Sequence, residues 1–501
     1  MGSCSVLYAV LLRCRLIHIL SLAALCLCFS LPVRAAGLPA LKALEEAGYE
    51  VTGMVVDLET GTTIAELNPS KLLIPASVTK IYTAARALEV WGADYRFETH
   101  LLTRGRRNNG VLDGDLALKG GGDPSLTNES LWRLALDVSQ NGIREVTGDL
   151  IVDESLFGDV SCVTRDRCDA HKSTWHSYDS LLSAAAVNHG NMAVVVSPGR
   201  AIGAPARISI DPYALPDMEI RGSIRTVKGY GARFAVSRFT RNGSDWLKVS
   251  GTIGINAGTH RAYRSVGDPA LFTGKLFRQF LREAGVAVGG EVRVSTTEVK
   301  GERLTTYQGK PLNQIIGDML YYSNNLIADV LTLNILAEGS ASKPAGLAAA
   351  GGHLQAYAHQ LYSQSKFARS SSAARLFDGS GLNPDNLLSP ADLITLLERV
   401  YHRPQDFPFL LGAMRVPAQS PSRGLSGGNE VWDRLSVKTG GLSEPVSVHT
   451  LAGYLRFKDG GWGAFALMIN GTRSKRIYRT KAFDAMRRDL EKLDAAVFSC
   501  G

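Results

Sequence analysis

Cysteine is scarce in this chain of 501 residues, and its placement matters more than its number. Four of the seven (Cys4, Cys14, Cys26, Cys28) fall within the first 35 residues, which leaves Cys162, Cys168 and Cys500. No zinc-ligand spacing can be drawn from those three, and the ten histidines are dispersed with no H-E-x-x-H pair. A metallohydrolase is therefore disfavoured, and neither metal nor cofactor is expected. Strong charge of one sign is also missing: the net charge of +8 comes from scattered basic residues, unaccompanied by any nucleic-acid motif. Beyond residue 33 there is no long apolar run, no internal repeat and no low-complexity tract.

The apolar run that is present stands at the start. Arg13 and Arg15 precede LIHILSLAALCLCFSLPV (16–33), and Val33 and Ala35 occupy the small-residue positions that signal peptidase prefers. This reads as a secretory signal peptide over 1–35; an uncleaved anchor is the alternative. LAALC lacks the small residue that usually precedes a lipoprotein cysteine. Removing Arg13, Arg15 and Arg34, with no acids, lowers the net charge from +8 to +5. The body should be exported, where C-x5-C at Cys162 and Cys168 can close a small disulfide loop. Its length calls for more than one domain.

Periodicity divides the chain. LPALKALEEAG reads as a short helix, and TGMVVDLETGTTIAELN as a hairpin about Glu59-Thr60-Gly61. IPASVTKIYTAARALEVWG reads as a helix opened by Pro75 and closed by Gly92. From 98 to 298 strand-like runs alternate with Gly, Asp, Asn and Pro turns, interrupted by one helical patch at 269–285. Helices return over 311–339, 346–371 and SPADLITLLERVYHR; three strands and a final amphipathic helix follow. The order suggests an α/β domain, 36–97 and 299–501, interrupted by a β-rich insert of one or two lobes.

Three segments can carry chemistry. In IPASVTK (74–80), Ser77 and Lys80 share a helix face at i,i+3; a lysine whose pKa is lowered by burial can take a hydroxyl proton. Alone, the pair reads more readily as a helix-capping serine beside a solvated lysine. In YSNN (322–325), two adjacent asparagines interrupt an apolar helix, and a local break would point Ser323 and Asn325 the same way. In VKTGG (437–441), Lys438 and Thr439 can grip a carboxylate, while Gly440 and Gly441 leave a strand edge open to a peptide. GLSGG (424–428) fits G-x-S-x-G, but no strand precedes it and no apolar helix follows, so Ser426 reads as a loop residue.

Serine-x-x-lysine, serine-x-asparagine and lysine-threonine-glycine, in this order, resemble the set found in penicillin-recognising serine hydrolases. More closely, the chain resembles the D-alanyl-D-alanine carboxypeptidase/endopeptidase family, low-molecular-mass penicillin-binding proteins with a large insert. LKGGGDPSL (118–126), DGSGLNPDNLLSP (378–390), LAGYLRFKDG and FALMING add to the likeness. So does the gap of 246 residues from Ser77 to Ser323. The resemblance implies a serine β-lactamase/transpeptidase-like fold, with Ser77 as acylated nucleophile and Lys80 as its base. It implies that Ser323 relays a proton, that Asn325 orients groups in the cleft, and that Lys438 and Thr439 hold a carboxylate. The amide of Gly441 would share an oxyanion hole with that of Ser77. The implied partners are peptidoglycan peptide stems, with β-lactams as covalent inhibitors, in a bacterial periplasm or cell envelope. Glycine at 441, where such enzymes often carry serine or threonine, removes one hydroxyl from the carboxylate site and weakens the expected preference for a free carboxyl terminus. Asp378 and Ser380 read as turn residues shaping the cleft. A β-lactamase, or a non-catalytic envelope-binding protein on the same fold, is the alternative function.

Overall fold

The structure is a computed structural model that describes residues 35–158, 160, 164–338, 346–368, 372–419 and 430–497. The leader (apart from Ala35), Cys162, Ser426 and Cys500 lie outside the described residues.

A five-stranded antiparallel sheet organises the first and last parts of the chain. Its strands are β1 (Glu50–Asp57), β2 (Thr63–Leu67), β3 (Leu435–Leu442), β4 (Val448–Arg456) and β5 (Trp462–Asn470), in the order β3-β4-β5-β1-β2. Helices cover both faces, so a strand such as β5 is buried on both sides and reads as a near-continuous apolar run, AFALMI. The alternation still sorts its side chains. Phe465, Leu467 and Ile469 join the core beneath α1 (Pro39–Glu46) and the C-terminal helix Arg479–Val497, whereas Ala464, Ala466 and Met468 face the helical layer opposite. Asp489 of the C-terminal helix accepts hydrogen bonds from Ala40 N at 2.8 Å and Leu41 N at 2.9 Å, and so caps first-turn amides of α1 that have no partner within the helix.

The opposite layer holds α2 (Lys80–Trp91), α3 (Leu312–Tyr322), α4 (Asn325–Glu338), Leu347–Ser363 and Pro390–Tyr401. Between α2 and α3 the chain leaves along strand Arg96–Asn108 and returns along Glu302–Pro311, its antiparallel neighbour. These two belong to a seven-stranded sheet; a four-stranded and a three-stranded sheet complete the β-rich region. Pro269–Glu283 is helical there as expected. Asn128–Gln140 is also helical, which the sequence reading missed. Its signal was present: Leu131, Leu134, Ala135 and Val138 recur at helical spacing behind a Thr127–Ser130 capping box.

Helix α4 joins the two regions. Every residue from Leu326 to Ile335 is buried, so it lacks a polar face, as a helix packed on all sides should. Leu326, Val330 and Leu333 meet Phe157, Ala184 and Ala186 of the β-rich region, while Ile327, Ala328 and Leu331 belong to the core around α2.

Candidate active site

The turn before α2 sets the geometry of Ser77. Pro75 begins a 3-10 turn, Ala76–Thr79, and α2 proper starts only at Lys80, so the expected helix opens one turn tighter than its spacing suggests. Ala76 has φ +49°, a left-handed conformation costly for alanine. Thr450 Oγ1 on β4 donates to Pro75 O at 2.8 Å and ties the turn to the sheet. Strand β3 approaches so closely that a Cβ on Gly440 would lie 2.1 Å from Thr450 Oγ1, 2.7 Å from Pro75 O and 3.0 Å from Ser77 N. Only glycine fits there, and that fit keeps the edge of β3 against the amide of Ser77.

Lys80 is fully buried, and its Nζ has three oxygen neighbours. Ser77 Oγ lies at 3.2 Å, Asn325 Oδ1 at 2.8 Å and the carbonyl of Ser380 at 2.6 Å. Burial disfavours the ammonium and brings the pKa down to about 8; Asp329 and Asp378 pull it up, and Arg167 pushes it down. A hydroxyl beside such an amine can lose its proton near neutral pH.

The YSNN break is present. Helix α3 ends at Tyr322, Ser323 takes a left-handed conformation (φ +56°, ψ +40°), and α4 starts at Asn325. Ser323 and Asn325 line one cavity, together with Tyr178, Asn188, His189 and Tyr263 of the β-rich region. They take different lysines, however. Lys438 Nζ donates to Ser323 Oγ at 2.8 Å and to Thr439 O at 2.8 Å, while Asn325 accepts from Lys80 and donates through Nδ2 to Tyr178 O at 3.1 Å. Lys438 is buried, and desolvation, then the charges of Lys80, Arg415 and Arg479, hold it well below the usual lysine range. Thr439 is half-buried beside it, and Gly441 is exposed at the strand edge. The structure thus brings the three motifs to one cleft.

Two features escaped the sequence reading. One is Asp329, on the Asn325 face of α4 one turn along, whose Oδ1 accepts from Gly379 N at 3.0 Å and Ser380 N at 2.9 Å. An acid amid the apolar run LIADVL was its signal. The other is that the DGSG turn touches Lys80 directly, through the Ser380 carbonyl. Asp378 sits inside that turn and accepts from Gly381 N, Asn383 N and Asn386 Nδ2 at 2.7, 2.7 and 2.6 Å; burial raises its pKa to about 6. Cys168 is disulfide-bonded.

The chain is similar to known proteins over nearly its full length. A D-alanyl-D-alanine carboxypeptidase from Actinomadura sp. (strain R39) is 29% identical over 458 residues, covering 85% of this chain and 79% of that protein. D-alanyl-D-alanine carboxypeptidase DacB of Haemophilus influenzae is 25% identical over 434 residues, 85% of this chain and 86% of its own. The crystal structure of penicillin binding protein 4 (dacB) from Haemophilus influenzae superposes with a TM-score of 0.73 at 22% identity, over 91% of this chain and 99% of that one. The likeness establishes the penicillin-binding-protein fold expected of the sequence. A family model matches residues 38–491, and the chain belongs to the D-Ala-D-Ala carboxypeptidase 3 (S13) family.

Proposed function

We propose that this protein is a serine-type D-Ala-D-Ala carboxypeptidase and DD-endopeptidase. It cleaves D-Ala-D-Ala and D-alanyl-diamino-acid bonds of peptidoglycan stems through an acyl-enzyme on Ser77, and β-lactams acylate the same oxygen. One observation carries this: the 3.2 Å approach of Lys80 Nζ to Ser77 Oγ, with the amine buried and its pKa near 8. Neutral Lys80 takes the hydroxyl proton as Oγ attacks the carbonyl carbon, and the amides of Ser77 and Gly441 hold the oxyanion. The proton held by Lys80 returns through Ser323, whose Oγ Lys438 fixes, to the leaving amine as the C–N bond breaks. Neutral again, Lys80 takes a proton from the water that attacks the ester and gives it to Ser77 Oγ as the acyl C–O bond breaks.

Lys438 and Thr439 receive the substrate carboxylate. An arriving anion favours the protonated form of Lys438, which the unliganded cleft disfavours. The bare strand edge at Gly440–Gly441 admits the substrate as an added strand and offers no hydroxyl to its terminus. That suits cross-linked as well as terminal D-alanyl bonds. The protein works in the periplasm after export; among the described residues no helix is long and apolar enough to cross a membrane.

Product analysis on defined muropeptides tests the reading. Uncross-linked pentapeptide should lose its terminal D-Ala, and cross-linked dimer should yield monomers. Both activities should vanish in Ser77→Ala. A folded wild type that cleaves neither, or a Ser77→Ala variant that cleaves both, contradicts it.

A further inference from the structure

The buried cation behind Lys80 comes from the β-rich insert. Arg167 lies in a five-residue helix, Arg165–Asp169, next to the disulfide-bonded Cys168. Its side chain is 1% exposed, and its Nη1 donates to Asp329 Oδ2, which is wholly buried, at 2.8 Å. Its Nε donates to Ser180 O at 3.0 Å and fixes the guanidinium plane. The other carboxylate oxygen of Asp329 grips the amides of Gly379 and Ser380, and the carbonyl of Ser380 accepts from Lys80 Nζ. An unbroken chain of polar contacts therefore runs from the insert to the amine, Arg167–Asp329–Ser380–Lys80.

We infer that Arg167 is a positioning residue for acylation: by pairing with Asp329 it aligns the Ser380 carbonyl on Lys80 and cancels a carboxylate that would otherwise keep that amine charged. The inference rests on Lys80 being the base for Ser77. The charged groups facing Lys80 are Asp329 on α4, Asp378 in the DGSG turn, Arg167 from the insert and Lys438 on β3. Asp378 is satisfied within its own turn by two amides and Asn386. Asp329 has two amides on Oδ1, but its Oδ2 relies on Arg167. Stripped of that cation, Asp329 is an unpaired buried carboxylate acting on Lys80, and the ammonium form gains. Arg167 thereby takes part in the chemistry without touching substrate.

The test is the pH dependence of acylation by a fluorescent penicillin, followed by stopped flow on the full exported chain. The acid limb reports the base in free enzyme. Arg167→Met should move that limb alkaline by about one pH unit and slow acylation at pH 7 by about tenfold, the factor one unit carries. Arg167→Lys should lie between it and wild type. Asp329→Asn, which keeps an acceptor oxygen, should move the limb acid, and Arg167→Met with Asp329→Asn should restore it. A folded Arg167→Met with its limb at the wild-type position overturns the inference, whether its rate is normal or lowered uniformly at every pH. If Arg167→Met does not fold, Arg167→Lys against wild type, with Asp329 in place, decides: an alkaline displacement of the limb supports the inference, and coincident limbs overturn it. Absence of acylation by wild type at all pH values would instead overturn the proposed function, and this inference with it.

Discussion

Lys80 Nζ lies 3.2 Å from Ser77 Oγ and 2.8 Å from Asn325 Oδ1, which joins the first two motifs across 245 residues of sequence. Acylation should then follow the neutral form of Lys80. With a pKa of about 8, roughly a tenth of the amine is neutral at pH 7; at the ordinary value of 10.5 it would be about one part in 3,000. Neutral amine increases with pH, so the acylation rate should climb about tenfold per unit below pH 8 and flatten above it. Stopped-flow acylation between pH 5.5 and 9.5 checks this, and a flat profile would exclude Lys80 as the base.

Asn325 touches Lys80 through a neutral oxygen. Asn325→Asp places a carboxylate at that position and should raise the lysine's pKa by one unit or more, as an adjacent opposite charge does. The acid limb should move alkaline by the same amount, with acylation at pH 9 largely kept. The same stopped-flow series measures it.

Gly440 has no room for a side chain. Gly440→Ala would set a methyl 2.7 Å from Pro75 O and 3.0 Å from Ser77 N, pushing β3 away from the turn that holds Ser77. The sheet should survive, since β3 pairs along its whole length with β4. Acylation should drop by about 100-fold, the scale of losing one oxyanion donor. Circular dichroism alongside labelling kinetics separates this from unfolding.

Glu154 supplies a stability prediction away from the cleft. Its carboxyl is buried and accepts from Ser183 Oγ at 2.7 Å and from the amides of Ala185 and Ala184 at 3.1 and 3.3 Å; burial raises its pKa to about 7. The folded state thus holds a proton that the unfolded state releases above about 4.5. Its contribution is complete below that value and is lost as the pH rises through 7, a span worth about 3 kcal/mol. Glu154→Gln should flatten this part of the pH dependence of unfolding, as read by urea titration at pH 5 and pH 8.

Much of this arrangement was legible in the sequence because the pieces that carry it are local. The strands of the five-stranded sheet, the hairpin at Glu59-Thr60-Gly61 and the break at Ser323 each follow from short-range patterns. Family motifs then identified which lysines and serines to join. The less visible parts depend on contacts made only after folding. Nothing in RDRC marks Arg167 as a buried ion-pair partner, because its partner lies 162 residues away on a helix of the other region. The Ser380 carbonyl is a backbone atom, aimed by Asp329 rather than by any property of serine. The left-handed Ala76 lies in a turn held by Thr450 of β4 and approached by Gly440 of β3, contacts that spacing within IPASVTK does not encode.

The most direct test is mass spectrometry of the intact protein after reaction with penicillin, followed by tryptic mapping. Expected is one adduct per chain, on the peptide of residues 72–80 at Ser77, absent from Ser77→Ala and slow to hydrolyse. An adduct on another serine, an undiminished adduct on Ser77→Ala, or no adduct on folded wild type would contradict the assignment; rapid release of hydrolysed drug would make the protein a β-lactamase instead.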